Sequence, residues 1–181
     1  TLRVDPHVGI EVYRRVQSRL KRITEQPATT SRVSTGSAPL DSMLGSGVYE
    51  GSVTLVTGIS GTGKTVLGMQ FLLSGAAAGK RGLLVSLDEH PEQLIRNAET
   101  VGLALQPMIE DGRLTLHYES PLELELDVHF ATITKLVEER EIDFVVCDSV
   151  AVYEMTSPDD ASDFLYALAS FFKNRLCTVF F

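Results

Sequence analysis

Eight consecutive residues, Gly58-Ile59-Ser60-Gly61-Thr62-Gly63-Lys64-Thr65, match the pattern G-x-x-x-x-G-K-[ST] at every fixed position. These residue types in this order suit one chemistry. The glycines let the backbone turn and come close to oxygen atoms without a Cβ in the way. The exposed N–H groups and the positive end of a following helix then form an anion cradle. Lys64 reaches the β- and γ-phosphates as a point charge. The Thr65 hydroxyl is placed to ligate Mg²⁺. Each charge-assisted hydrogen bond contributes about 1.5–3 kcal/mol, so several converging donors hold a triphosphate. The expected triphosphate contacts are Gly58, Ile59, Ser60, Gly61, Thr62, Gly63, Lys64, Thr65 and Val66.

A phosphate cradle does chemistry only with carboxylates beside it. Four apolar residues, Phe144-Val145-Val146-Cys147, lead into Asp148, a Walker-B-like element. Such a strand buries itself and delivers one carboxylate to the Mg²⁺ site, directly or through water. A second pair, Asp88-Glu89, follows the apolar run Gly82–Leu87. Either member could orient or deprotonate the attacking water or hydroxyl. In an extended segment adjacent side chains point to opposite faces, so one of the two faces the γ-phosphate unless the backbone turns. Residue type alone leaves the choice open. The expected catalytic set is thus Lys64, Asp88, Glu89 and Asp148, with Thr65 and Asp148 on the metal. His90 and His117 have no second His or Cys at metal-ligand spacing and receive no role. Glu119, Glu123, Glu125 and Asp127 read as a solvated acidic surface.

The elements that must hold these residues follow from periodicity. Val53–Thr57 is β-branched and apolar and reads as a buried strand before the glycine loop. Val66–Leu73 reads as the helix after it. Gly82–Leu87, Leu114–Tyr118, Phe144–Asp148 and Leu176–Phe181 are the further strands. Helices are expected from Pro91 to about Val101 with Gly102 as the stop, over Asp127–Arg140, and after Ser157-Pro158. Strands separated by helices, with near-continuous apolar runs, argue for an α/β fold with a parallel sheet covered on both faces. Ligands of such folds bind beyond the C-terminal strand ends. Thr57/Gly58, Asp88/Glu89 and Asp148/Ser149 all fall there.

With 181 residues the chain is one ordinary domain, or one domain plus a fragment. No apolar run approaches the length of a membrane span, and the start lacks a signal-peptide pattern. Two cysteines, Cys147 and Cys177, sit in apolar runs and read as buried thiols, so a reducing cytoplasm is the expected setting. The net charge of −8 is uneven: residues 1–35 hold seven Lys/Arg against three Asp/Glu, and the rest is strongly acidic. The acidic body lacks the footprint of a duplex-binding module. Leu2–Val4 and Ile10–Tyr13 suggest a hairpin, Arg14–Ile23 a basic helix or extension, and Glu25–Ser31 a linker. The domain boundary is placed there, at 1–31 and 32–181.

Arg32-Val33-Ser34-Thr35-Gly36, Leu40-Asp41, the glycine loop, Gln70-Phe71-Leu72, Ser86-Leu87-Asp88-Glu89-His90-Pro91, Gly102 and Asp148-Ser149 together resemble the KaiC-like branch of the RecA-type ATPases. The resemblance covers 32–181. Gly9-Ile10-Glu11-Val12-Tyr13-Arg14 resembles the segment that closes the first ATPase domain in double-domain members, which implies that 1–31 is the tail of a preceding domain. The family implies ATP hydrolysis, in some members serine/threonine autophosphorylation, and hexameric rings with ATP between subunits and regulatory protein partners. The family's acidic pair is usually Glu-Glu, whereas Asp88 stands first here. Gly45-Ser46-Gly47 departs from a triple-glycine run. A DNA-dependent RecA-type ATPase and a nucleotide-gated assembly module are the competing readings. ATPase assays with single-stranded DNA discriminate the first, and gel filtration with and without nucleotide the second.

Overall fold

In a computed structural model of the chain, residues 2–5, 9–13, 15 and 29–181 are described. Apart from Arg15, the basic segment 14–23 lies outside the described residues, as does most of the 25–31 linker. Near the N-terminus, β1 (Leu2–Asp5) and β2 (Gly9–Val12) pair antiparallel, as the alternation there predicts. A two-stranded pair, β3 (Arg32–Val33) and β4 (Val48–Tyr49), encloses α1 (Ala38–Met43).

The body is a five-stranded parallel sheet. Its strands are β5 (Val53–Thr54), β6 (Gly82–Ser86), β7 (Leu114–Tyr118), β8 (Phe144–Asp148) and β9 (Thr178–Phe180), in the spatial order β5-β9-β8-β6-β7. Helices α2 (Lys64–Ala77), α3 (Pro91–Thr100) and α4 (Gln106–Glu110) contribute to the core on one face. Helices α5 (Leu126–Arg140), α6 (Ala151–Thr156) and α7 (Ala161–Asn174) contribute to the core on the other. This is the α/β architecture with a parallel sheet expected from the alternating strands and helices, and it agrees with the RecA-like fold that the resemblance implies.

Side chains alternate across a strand with period two, and that period sorts the core. Val145 and Cys147 of β8 pack with α5 and α7, while Phe144 and Val146 pack with α2. Leu83 and Val85 of β6 face the α5 side, and Leu84 faces α2. The same parity carries Asp148 to the α2 face. Phe71 of α2 stacks on Phe180 with ring centroids 4.1 Å apart and lies 4.8 Å from Phe144. These aromatics serve packing, as do Phe164 and Phe172 of α7, both fully buried.

One expectation is corrected. Val53–Thr57 is not a buried strand: only Val53 and Thr54 form β5, both half-buried, and Leu55 is 64% exposed. Among the described residues β5 pairs on one side only, with β9, so it is an edge strand. Short elements were also missed. β3, β4, α1, α4 and α6 run two to six residues, too few for periodicity to register.

Candidate functional site

The glycine loop joins β5 to α2 and lies exposed beyond the C-terminal end of the sheet. Gly61 and Gly63 adopt left-handed φ angles of 82° and 88°, and α2 begins at once, at Lys64. Among the described residues, the N–H groups of Gly61, Gly63, Lys64, Thr65 and Val66 have no backbone acceptor. A helix start leaves its first donors orphaned, and here they adjoin the exposed glycine loop. The Lys64 ammonium donates to its own loop, to Gly58 O at 2.9 Å and Ile59 O at 3.1 Å.

Close packing of α2 on β8 brings the two distant motifs together. A Cβ on Gly68 would come 2.8 Å from Val146 Cγ1, and one on Gly75 would come 2.9 Å from the Phe144 ring. Gly68 and Gly75 are seven residues apart and share one face of α2. The helix therefore rides directly on the strand, and its first turn reaches the strand's last residue. Thr65 Oγ1 donates to Asp148 Oδ2 at 2.5 Å, across 83 residues of sequence. Both side chains are partly buried.

An open cleft adjoins this pair. Thr57, Gly58, Lys64, Gly68 and Asp148 line it, with Ser149, Ala151 and Glu154 from the segment after β8 on the other wall. Glu154 sits on α6, whose six residues carry no periodic signal, and sequence reasoning missed it.

Asp88 and Glu89 do not line that cleft. They lie in a bend after β6, next to β8: Ser86 pairs with Asp148 in register, and Leu87 N–H donates to Asp148 O at 2.9 Å. Ser86 Oγ donates to Glu89 O at 2.6 Å and accepts from Glu89 N–H at 3.2 Å, which folds the bend back on itself. The two carboxylates are thereby given different environments. Glu89 Oε2 accepts from Asn97 Nδ2 of α3 at 2.7 Å. Asp88 is exposed and has no hydrogen-bond partner among the described residues. Asn97 was not foreseen, because nothing in the sequence marks a helix residue eight positions on as its partner.

The lead-in to the loop is a second polar assembly. Asp41 accepts from Ser34 Oγ at 2.5 Å, from Thr35 N–H at 2.8 Å and from Thr35 Oγ1 at 2.7 Å. Burial alone would raise the Asp41 pKa, but these bonds outweigh it and hold the carboxyl below its usual value. Arg32 donates to Leu44 O and Gly47 O and lies 3.9 Å over the Tyr49 ring. A Cβ on Gly36 would meet Gln70 O at 2.3 Å, so this segment presses onto the backbone of α2.

The acidic run does not stay together on a solvated surface. Glu123 and Glu125 are exposed, but Glu119 is turned inward against His117 and His129. The absence of metal-ligand spacing around His117 in the sequence did not foresee this grouping. Histidine 129 comes from α5, and the H-x-E spacing of His117 and Glu119 was the available signal, since it puts both on one face of a strand.

Residues 33–181 match the family model described as ATPase: KaiC. The chain belongs to the KaiC ATPase family. It is 34% identical over 152 residues to the circadian clock protein KaiC3 of Synechocystis sp., covering 83% of this chain and 30% of that protein. It is 31% identical over 161 residues to the circadian clock oscillator protein KaiC of Picosynechococcus sp., covering 88% of this chain and 31% of that protein. A UPF0273 protein of Thermotoga maritima is 30% identical over 165 residues, covering 83% of this chain and 68% of that protein. The chain thus spans about a third of the length of the KaiC relatives it matches. Within the KaiC match fall the glycine loop, the Asp88-Glu89 bend, Asp148 and all but the first residue of the Arg32–Gly36 lead-in.

Proposed function

We propose that this chain binds ATP with Mg²⁺ and hydrolyses its terminal phosphoanhydride. The observation that carries this reading is the Thr65–Asp148 hydrogen bond at the mouth of the loop with unpaired N–H groups. Hydroxyl and carboxylate oxygens are the hard donors that Mg²⁺ takes, so Thr65 and Asp148 suit that ion. Bound Mg²⁺ would neutralise charge developing on the β- and γ-oxygens. The chain's own groups do the rest. The N–H groups of Gly61, Gly63, Lys64, Thr65 and Val66 bind phosphate oxygens. Lys64 exchanges two loop carbonyls for them.

Glu89 is the carboxylate we assign to the attacking water. Asn97 fixes one of its oxygens and leaves the other free, and an oriented base loses less in reaching its geometry. Asp88, exposed and untethered, is the second carboxylate of the pair.

The first test is binding of a fluorescent ATP analogue. Lys64→Ala removes charge-assisted bonds of about 1.5–3 kcal/mol each, so affinity falls about tenfold or more. Equal affinity in parent and variant overturns the site. Glu89→Gln then lowers single-turnover hydrolysis by about 10²-fold with binding intact, and Asp88→Asn lowers it less. The reverse order assigns the water to Asp88.

The finer context rests on the relatives. Their names place them in a circadian clock, and we infer a clock-like or signalling assembly here too. Residues 1–31 serve as the tail of a preceding domain and 32–181 as an ATPase domain. The exposed loop, with Ile59 81% exposed, supports a site completed by a second copy in a ring, with hexameric ATP-bridged packing as the specific form. Light scattering with ATP, ADP and no nucleotide tests assembly. Stable transfer of labelled γ-phosphate to the protein tests autophosphorylation.

A further inference from the structure

On the face of the sheet opposite α2, three metal-ligating side chains from two elements converge. His117 and Glu119 lie two residues apart at the end of β7, and His129 lies on α5. Each offers one ligand atom, and all three atoms lie within 4.8 Å of one another. His129 Nδ1 is 2.5 Å from Glu119 Oε2, and His117 Nε2 is 3.6 Å from the same oxygen. His129 is fully buried, while the side chains of His117 and Glu119 are 21% and 20% exposed. His117 Nε2 is itself shielded from solvent and has no hydrogen-bond partner among the described residues. A buried imidazole nitrogen left unsatisfied costs free energy unless something fills its place.

We propose that His117, Glu119 and His129 form a site for a divalent transition-metal ion of the zinc class, separate from the nucleotide's Mg²⁺ position. Two imidazoles and one carboxylate, with room for water as a fourth ligand, are a donor set that zinc takes. Imidazole donors select against Mg²⁺, which prefers oxygen. With metal–ligand bonds near 2.1 Å, a tetrahedral shell spaces its ligands about 3.4 Å apart. The His117–Glu119 separation of 3.6 Å already fits. The His129–Glu119 pair must open by about 1 Å, which the partly exposed Glu119 side chain permits by changing rotamer.

The other ring nitrogen of His129 is also held. His129 Nε2 lies 2.9 Å from the buried Tyr153 hydroxyl. A hydroxyl both donates and accepts. It therefore accepts from Nε2–H when Nδ1 must present its lone pair to a metal. Metal-bound histidines are commonly held in this way through their other nitrogen. Tyr153 belongs to α6, and Ala151 and Glu154 of that helix line the nucleotide cleft. An ion here would tie the edge strand β7 to α5 and, through Tyr153, brace one wall of the cleft.

The test is a zinc titration of the purified, chelator-stripped chain against a chromophoric chelator, with Mg²⁺ in excess to occupy Thr65 and Asp148. One zinc per chain is expected, and Co²⁺ in its place should show the visible absorption of a tetrahedral site. His117→Gln keeps a partly exposed position polar and should weaken zinc binding at least tenfold, while melting in chelator stays at the parent's temperature. Tyr153→Phe, which preserves the ring, should weaken it about tenfold by removing the hydroxyl that holds His129 Nε2. Asp148→Asn should leave it unchanged. No zinc retained in Mg²⁺, or equal zinc affinity in His117→Gln, overturns the proposal and leaves a buried ion pair. Zinc lost in Asp148→Asn but kept in His117→Gln overturns it in favour of the nucleotide site. The nucleotide-binding assay on Lys64→Ala reads the other site independently.

Discussion

Single side chains in this domain act by closing distances that sequence leaves open. Asp41 is the clearest case. It gathers three hydrogen bonds from Ser34 and Thr35 and so clips the lead-in onto α1. Its carboxyl is held below the ordinary value despite some burial. A group with a depressed folded pKa contributes stability that is present above its unfolded pKa, about 3.9, and is lost as pH falls through the folded value. Asp41→Asn should therefore destabilise the domain by about 1–2 kcal/mol at pH 7. The deficit should shrink once the pH falls below 4, as urea melts at several pH values will show. A constant deficit across that range would mean that charge plays no part. Ser34, Thr35 and Asp41 were visible as a motif, but the motif did not say that one carboxylate receives the other two side chains.

At the scale of elements, the decisive contacts are those of α2 with its neighbours. The Gly36 segment lies against the backbone of α2 at Gln70, and Gly68 and Gly75 let the same helix settle on β8. Gly36 has a φ of +82° and faces Gln70 O at a distance no Cβ tolerates. Gly36→Ala should cost about 2–4 kcal/mol, combining the left-handed penalty with a backbone clash, and thermal melts measure it. A loss under about 0.5 kcal/mol would show that the lead-in shifts freely. The departure at Gly45-Ser46-Gly47 is also resolved at this scale: Ser46 sits at a φ of +84°, among glycines at 69° and 103°. The strand and helix order was legible because apolar runs and helical spacing are local. The edge position of β5 was not, because which strand pairs with which depends on residues 53 and 179 meeting across the chain.

At the scale of the molecule, two hydrophobic cores of described residues lie on either side of the five-stranded sheet, and each cysteine is buried in the core on the α5 side. Burial and the nearby Asp148 charge push the Cys147 thiol far up. Burial and Asp143, partly offset by Arg175, push Cys177 up to about 12. Since the thiolate is the reactive form, neither should alkylate in the native protein at pH 8. Iodoacetamide should label both only in denaturant, and rapid native labelling of either would show that this core opens. No helix among the described residues is long and apolar enough to cross a membrane.

The sequence by itself marked the glycine-loop pattern, the order of the longer strands and helices, and the family. These depend on residue type at short spacing, where backbone geometry leaves few alternatives. It also placed Lys64 and Thr65 in the loop after one strand, and Asp88, Glu89 and Asp148 at the ends of two others. Tertiary structure decided what those residues do to one another. It joined Thr65 to Asp148, separated the tethered Glu89 from the free Asp88, and turned Glu119 inward between two histidines. The physical reason is the same in each case. A contact across tens of residues is set by which face of the sheet a side chain occupies and how closely a helix packs there, and no local pattern encodes either.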